Sequence, residues 1–182
     1  MQVSEHTPWQ GEYQPVEIVP YDPEWPECFA RERDVLQPRL GAVVAGGIQH
    51  IGSTAVPGLP AKPIIDVMVG VRSLDEARAC FAALAAIGYC HWPYRPWQHW
   101  FCKPSPSERT YHLHLLAPAH PQFAARLAFR DYLRAHTDTA VAYAALKLEL
   151  ATRYRSDREA YTEAKGAFVR CIVERAQGRP IG

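Results

Sequence analysis

The chain has 182 residues, 48% of them hydrophobic and 21% charged, which is enough apolar side chain to bury a domain-sized core and rules out a disordered chain. Its net charge of +1 supplies no long-range field to attract nucleic acid or an anionic membrane surface. No apolar run approaches the ~20 residues that span a bilayer. The start, "MQVSEHTPWQGEYQ", has neither the basic nor the apolar region of a leader, so a cytoplasmic protein with no membrane partner is expected.

In chain order, residues 1–14 read as a loose arm, polar and broken by Pro and Gly. "VEIVPYD" alternates and ends in a turn, after which Asp22-Pro23 predicts a helix from Pro23 to Leu40, with Asp22 as its cap and Gly41 ending it. "GGIQHIG" is a short strand candidate. "KPIIDVMVGV", β-branched and apolar on both faces, predicts a central strand covered on both sides. The capping box Ser73-Leu-Asp-Glu76 starts a helix over Leu74 to Ile87 that Gly88 ends. The stretch from Tyr89 to Pro118 reads as short strands between Pro-rich loops, and "YHLHLL" places His112 and His114 on one face.

From Pro121 onward the pattern is helical, with segments over 121–135, 138–154 and 157–177, the last started by a capping box at Ser156-Asp-Arg-Glu159. Strands in the middle and helices at the end predict an α+β fold. Residues 15–119 would form an α/β core, and 120–182 a C-terminal helical extension packed on it as one unit. The five cysteines are scattered and never spaced CxxC, and they read as reduced packing residues, with Cys90 and Cys102 on neighbouring strands.

Several residues carry possible chemistry. Gly52 and Ser53, followed by Thr54, open a loop whose amides and hydroxyls suit phosphate oxygens or simply form a tight turn. Asp66 interrupts "IIDVMV", where a charge is costly unless it is paired or holds a metal. Ile64, Asp66 and Met68 share a strand face, so Met68 stands where a paired carboxylate would be, and a thioether is a poor ligand for hard Mg²⁺. His112 and His114 have chelating i, i+2 spacing, and His50 beside the glycine loop would supply a third nitrogen, as an alternative to ordinary strand hydrogen bonding. "HWPYRPWQHWF" packs three Trp, one Tyr and one Phe into eleven residues, either to stack a base or to cover a sheet edge. Tyr143/Lys147 and Tyr161/Lys165 are i, i+4 pairs that, with Arg130 and Arg134, would make a basic wall facing phosphates or merely solvated helix charges.

The blocks "VEIVPYDPEWPECFARE", "HIGSTAVPGLPAKPIIDVMV", "YHLHLL", "FRDYLRAH", "YAALKLELATRY" and "DREAYTEAKGAFV" resemble, in that order, those of GrpB-like proteins, which are placed in the nucleotidyltransferase superfamily. The resemblance covers residues 15–176. It implies a nucleotidyltransferase-like small mixed sheet flanked by helices, with added C-terminal helices. In that superfamily a Gly-Ser loop follows one strand and the next strand supplies alternating acids for two divalent metals. Gly52 and Ser53 match the pair, Asp66 the first acid, and Met68 departs from the second. The strand carrying His112 and His114 would take the place of the strand bearing a third acid.

Three functions fit these residues. The first is transfer of a nucleotidyl group from a nucleoside triphosphate to an unidentified acceptor. Here Gly52, Ser53, Thr54, Lys62, Lys147 and Lys165 would hold phosphates, and Asp66 would hold Mg²⁺ or Mn²⁺. His112 or His114 would supply a base or further ligand. The second is binding of a nucleotide or phosphorylated ligand without turnover. The third is a metal-dependent hydrolase using a transition metal such as Zn²⁺ on His50, Asp66, His112 and His114.

Overall fold

The computed structural model describes residues 14–178, so the expected arm over residues 1–14 lies, apart from Gln14, outside the described residues. Helix α1 (Trp25–Leu40) starts two residues later than the Asp22-Pro23 signal implies. Asp22 Oδ1 accepts the Glu24 N–H at 2.8 Å and so closes a turn ahead of the helix instead of capping it. Pro38 sits in the last turn without stopping the helix before Leu40. α1 is pinned to the sheet by Glu32, whose buried carboxylate accepts from Lys103 Nζ at 2.6 Å and from the Tyr89 hydroxyl at 2.9 Å. With both partners present, the buried charge is offset where it sits.

Five strands form one open mixed sheet, β1 (Val44–Ile51), β2 (Ile65–Val71), β3 (Cys90–Arg95), β4 (Gln98–Pro104) and β5 (Arg109–Leu116), in the spatial order β1-β2-β5-β4-β3. All neighbours are antiparallel except β2 and β5, which run parallel with Asp66 opposite His112 and Met68 opposite His114. β2 is an internal strand whose residues are buried apart from the half-buried Asp66, as its two-sided apolar run predicts. The aromatic run becomes the β3–β4 hairpin at the sheet edge, where Cys90 lies opposite Cys102, both as free thiols. "VEIVPYD" makes a single bridge, Val19 with Ala61, rather than a strand.

The helix expected over Leu74–Ile87 is divided into α2 (Leu74–Ala77) and α3 (Phe81–Ala85). A 3₁₀ turn over Arg78–Cys80 separates them, tightened by the Arg78 N–H shared between the Asp75 and Glu76 carbonyls. Ser73 caps α2 as its box predicts. α4 (Pro121–Ala135) and α5 (Thr137–Arg153) follow the expected ranges closely. The third C-terminal helix is split at Lys165, next to Gly166, a weak helix former, into α6 (Arg158–Ala164) and α7 (Gly166–Ala176). Its cap is Asp157 rather than Ser156, because the carboxylate reaches two amides, those of Glu159 and Ala160.

The two faces of the sheet differ. Val67, Val69, Leu113, Leu115 and Phe101 pack with Leu36 and Leu40 of α1 in the main core. The opposite face carries Ile51, Met68 and Leu116 against Phe123 of α4, and by strand alternation also Asp66, His112 and His114. A second apolar layer joins Val56 and Leu59 of the glycine loop to Leu133 and Tyr143, with Phe168 of α7 against them, so the C-terminal helices hold that loop in place. No helix among the described residues is long and apolar enough to cross a membrane.

β1 and β2 approach closely where Gly46 faces Gly70: a Cβ on Gly70 would stand 2.5 Å from Gly46 Cα and 2.9 Å from the Pro118 ring. Gly70→Ala is therefore expected to destabilise the fold by about 1–3 kcal/mol, seen as a lower urea midpoint with an unchanged slope.

Candidate active site

Parallel pairing of β2 with β5 brings together three of the residues singled out by the sequence. His112 Nδ1 lies 2.9 Å from Asp66 Oδ1, and His114 Nε2 lies 3.8 Å from the same oxygen. One ligand atom from each of Asp66, His112 and His114 falls within 4.8 Å of the others, the only such cluster among the described residues. Asp66 keeps 27% of its side-chain surface accessible, so a ligand can reach it. Burial works against its charge, yet the hydrogen bond from His112 and the His112 and His114 rings beside it hold its carboxyl well below the usual carboxylate range. Burial lowers both imidazoles, His114 to about 3 with help from Arg126, and His112 against the opposing pull of Asp66.

Partners assign the tautomers. An ionised carboxylate only accepts, so His112 Nδ1 carries the proton that faces Asp66. Its Nε2 is left as a lone pair, buried with no hydrogen-bond partner among the described residues. Arg126 Nη2 donates to Gln98 Oε1 at 3.3 Å, which turns that oxygen toward His114 Nδ1 at 3.1 Å and makes Nδ1 the donor. His114 Nε2 is then also a lone pair, and it faces an anionic oxygen with no proton between them. An ionised carboxylate beside neutral imidazoles is the protonation state that a divalent cation requires, and the lone pairs fit one. A mixed N/O donor set suits Mn²⁺, Fe²⁺, Co²⁺ or Zn²⁺ better than Mg²⁺, which prefers oxygen throughout.

The glycine loop abuts this cluster. Gly52 has φ +72°, and a Cβ on it would meet Asp66 Oδ2 at 2.4 Å, so only glycine lets the backbone lie against the carboxylate. Ser53 opens a short 3₁₀ turn (Ser53–Ala55), and its side chain is within hydrogen-bonding reach of the buried Tyr143 hydroxyl. Thr54 and His50 are not at this site. Thr54 Oγ1 donates to the Ile64 carbonyl at 3.2 Å and accepts from His50 Nε2 at 3.0 Å. The His50 ring stacks on Phe29 of α1, on the far face of the sheet, and burial pushes it down to about 4. Strand alternation explains this: His50 pairs with Val67, one position off Asp66. Met68 is fully buried beneath Leu116 and Phe123.

Beside the carboxylate lies a group of lysines. Lys62 and Lys165 both stand over the Tyr161 ring, at 5.2 and 4.0 Å, and the charge of Asp66 acts on both. Burial lowers Lys62 to about 8, with Arg158 contributing, and Lys165 to about 7, with Lys62 and Lys147 contributing. Lys147 stacks over Tyr143 at 5.0 Å but is spent on the fold, donating to the Pro60 carbonyl. Arg130 and Arg134, expected in a basic wall, instead donate to the His50 and Ala55 carbonyls at 2.9 and 2.8 Å and clamp α4 to the glycine loop. Gln98 and Arg126 complete the surroundings of His114. Nothing in the local sequence marks either, since only the β4–β5 register and the seating of α4 bring them there.

Comparisons with known proteins agree on one family. The family described as GrpB protein matches residues 15–175. A UPF0157 protein of Pseudomonas aeruginosa is 42% identical over 166 residues, spanning 88% of this chain and 67% of that one. The crystal structure of conserved protein GrpB from Enterococcus faecalis superposes with a TM-score of 0.81 at 32% identity, covering 89% of this chain and 98% of that one. A more distant relative, 29% identical over 188 residues, is named dephospho-CoA kinase in Mycolicibacterium paratuberculosis; the match spans 89% of this chain but only 46% of that protein. On a match of this extent, supported by a solved fold, the chain belongs to the GrpB family.

Proposed function

We propose that this chain is a cytoplasmic, nucleotidyltransferase-like protein that binds a nucleoside triphosphate with one divalent cation and transfers its nucleotidyl group to an acceptor. The supporting observation is the convergence of an ionised carboxylate and two neutral imidazoles with Lys62 and Lys165, buried ammonium groups whose charge Asp66 offsets. Asp66 and His114 would hold the cation, which supplies Lewis-acid stabilisation of the phosphates. With Met68 under the apolar layer there is no second acid on β2, and the chemistry rests on one cation.

Lys62 and Lys165 receive the phosphates, and the Gly52–Ser53 backbone at the end of β1 lies against Asp66. The acceptor oxygen attacks the α-phosphorus. A new P–O bond forms, the bond from the α-phosphorus to the bridging oxygen breaks, and pyrophosphate leaves. The acceptor's proton passes to His112 Nε2, and the Nδ1–H bond to Asp66 steadies the imidazolium that results. Lys147 acts at one remove by holding the loop at Pro60. A match to a protein named dephospho-CoA kinase is in keeping with phosphate-bearing ligands. Water in place of the acceptor gives the hydrolytic reading, which the unpartnered His112 Nε2 also favours; a free nucleoside monophosphate as product identifies it.

Mn²⁺ at a hundred times its dissociation constant is expected to stabilise the protein by about 2.7 kcal/mol in a thermal-shift measurement. Asp66→Asn should abolish that shift. His112→Gln should retain it while pyrophosphate release falls about 10²–10⁴-fold. Retention of the shift in Asp66→Asn removes the cation from this site. Nucleotide-dependent stabilisation without any release reduces the function to binding.

Lys147 and Lys165 sit near 7 in the folded chain against an ordinary 10.5. Between those values the unfolded chain binds protons that the folded chain has shed, so the ligand-free protein gains stability as pH rises through this window. Below about 7 both states are protonated and that gain is absent. A bound triphosphate favours the charged lysine. At about pH 8 its binding should therefore take up roughly one proton, read by calorimetry in buffers of different ionisation enthalpy. Lys165→Met should remove most of the uptake and leave the smaller share that Lys62 carries.

A further inference from the structure

On the far side of His114 from the lysines, Arg95, Trp97, Gln98, Gln122 and Arg126 line a cavity of about 350 Å³. Two guanidinium groups and two amides form its polar wall, and no carboxylate lines it among the described residues. Arg126 is held rigidly, with its guanidinium 5.5 Å from the centre of the Trp97 ring and that ring stacked on His120 at 4.7 Å. Nη2 bonds Gln98, whereas Nη1 is buried with no hydrogen-bond partner among the described residues. A buried guanidinium N–H without an acceptor is costly, and its planar fork matches the oxygens of a phosphate or carboxylate.

We propose that this cavity is the seat of an anionic acceptor, a small molecule whose phosphate or carboxylate group is captured by Arg126. The same Gln98 oxygen that receives Arg126 receives His114, so an occupant of the cavity sits one amide away from a ligand of the candidate cation site. The acceptor then approaches from the Arg126 side of Asp66, while the triphosphate lies on the Lys62 and Lys165 side. The acceptor role rests on the nucleotidyl-transfer reading, but anion capture at Arg126 does not depend on it.

Trp97 reports on the cavity directly. Inorganic phosphate and acetate, titrated separately into the full chain, are expected to give a saturable tryptophan fluorescence change with at least one of them, and that change should vanish in Trp97→Phe. Arg126→Gln should weaken the response about tenfold or more, the worth of a charge-assisted hydrogen bond. Because Arg126→Gln alters a buried group, Gln122→Glu is the companion variant. It adds a like charge at the exposed first turn of α4 without disturbing packing, and should weaken binding about two- to fivefold with an unchanged melting temperature. Lys165→Met should leave the response intact. No saturable change with either anion overturns the proposal, as does a change that survives both Arg126→Gln and Gln122→Glu, or one that Lys165→Met abolishes. A Trp97 response that persists while nucleotide fails to stabilise the protein overturns only the nucleotide reading.

Discussion

A carboxylate charge inside a sheet is the constraint from which most of this architecture follows. Asp66 lies on an internal strand where its neighbours are buried, and an ionised group there survives only if every approach to it supplies a donor or a cation. His112 does so from β5, because the two strands run parallel with the residues opposite each other. The glycine loop closes another side, and it must be glycine because a side chain would enter the carboxylate. The remaining side opens toward Lys62 and Lys165. The C-terminal helices that carry Lys147 and Lys165 thus supply part of the site as well as covering apolar surface.

Much of this was legible in the sequence. A lone acid in a β-branched run, a Gly-Ser turn before it and an HLH strand after it are local patterns with local causes, and the sheet register unites them. His50 takes the second of its two readings, ordinary hydrogen bonding, because a strand's two faces alternate at every residue, and only pairing with β2 shows that His50 is one position out of phase with Asp66. Arg130 and Arg134 follow neither of their two readings, for a different reason. A helix face full of cations looks the same in sequence whether it meets a ligand or a backbone carbonyl, and here it meets the His50 and Ala55 carbonyls. The splits at Arg78–Cys80 and Lys165 are beyond periodicity, which continues across a tightened turn. Gln98 and Arg126 carry no local signature at all.

The site divides into two electrostatic halves around His114. On one side burial drives lysines toward neutrality, so an anion arriving there is met by groups that can be charged on demand. On the other, burial brings Arg126 down to about 10, still fully charged at neutral pH, and its charge is fixed. Asp66 lies between the two and acts on both, so that occupying either half changes the field felt in the other.

Met68 has a consequence for how this protein can change. It lies beneath Leu116 and Phe123 with no exposed surface, on the same strand face as Asp66. Replacing it with an acid would bury a second charge under the apolar lid of Leu116 and Phe123. A two-acid arrangement on β2 is therefore not one substitution away. Phe123 or Leu116 would first have to yield, at a cost in stability and with no gain until the second acid arrived. The packing above Met68 works as a ratchet that keeps β2 to a single carboxylate.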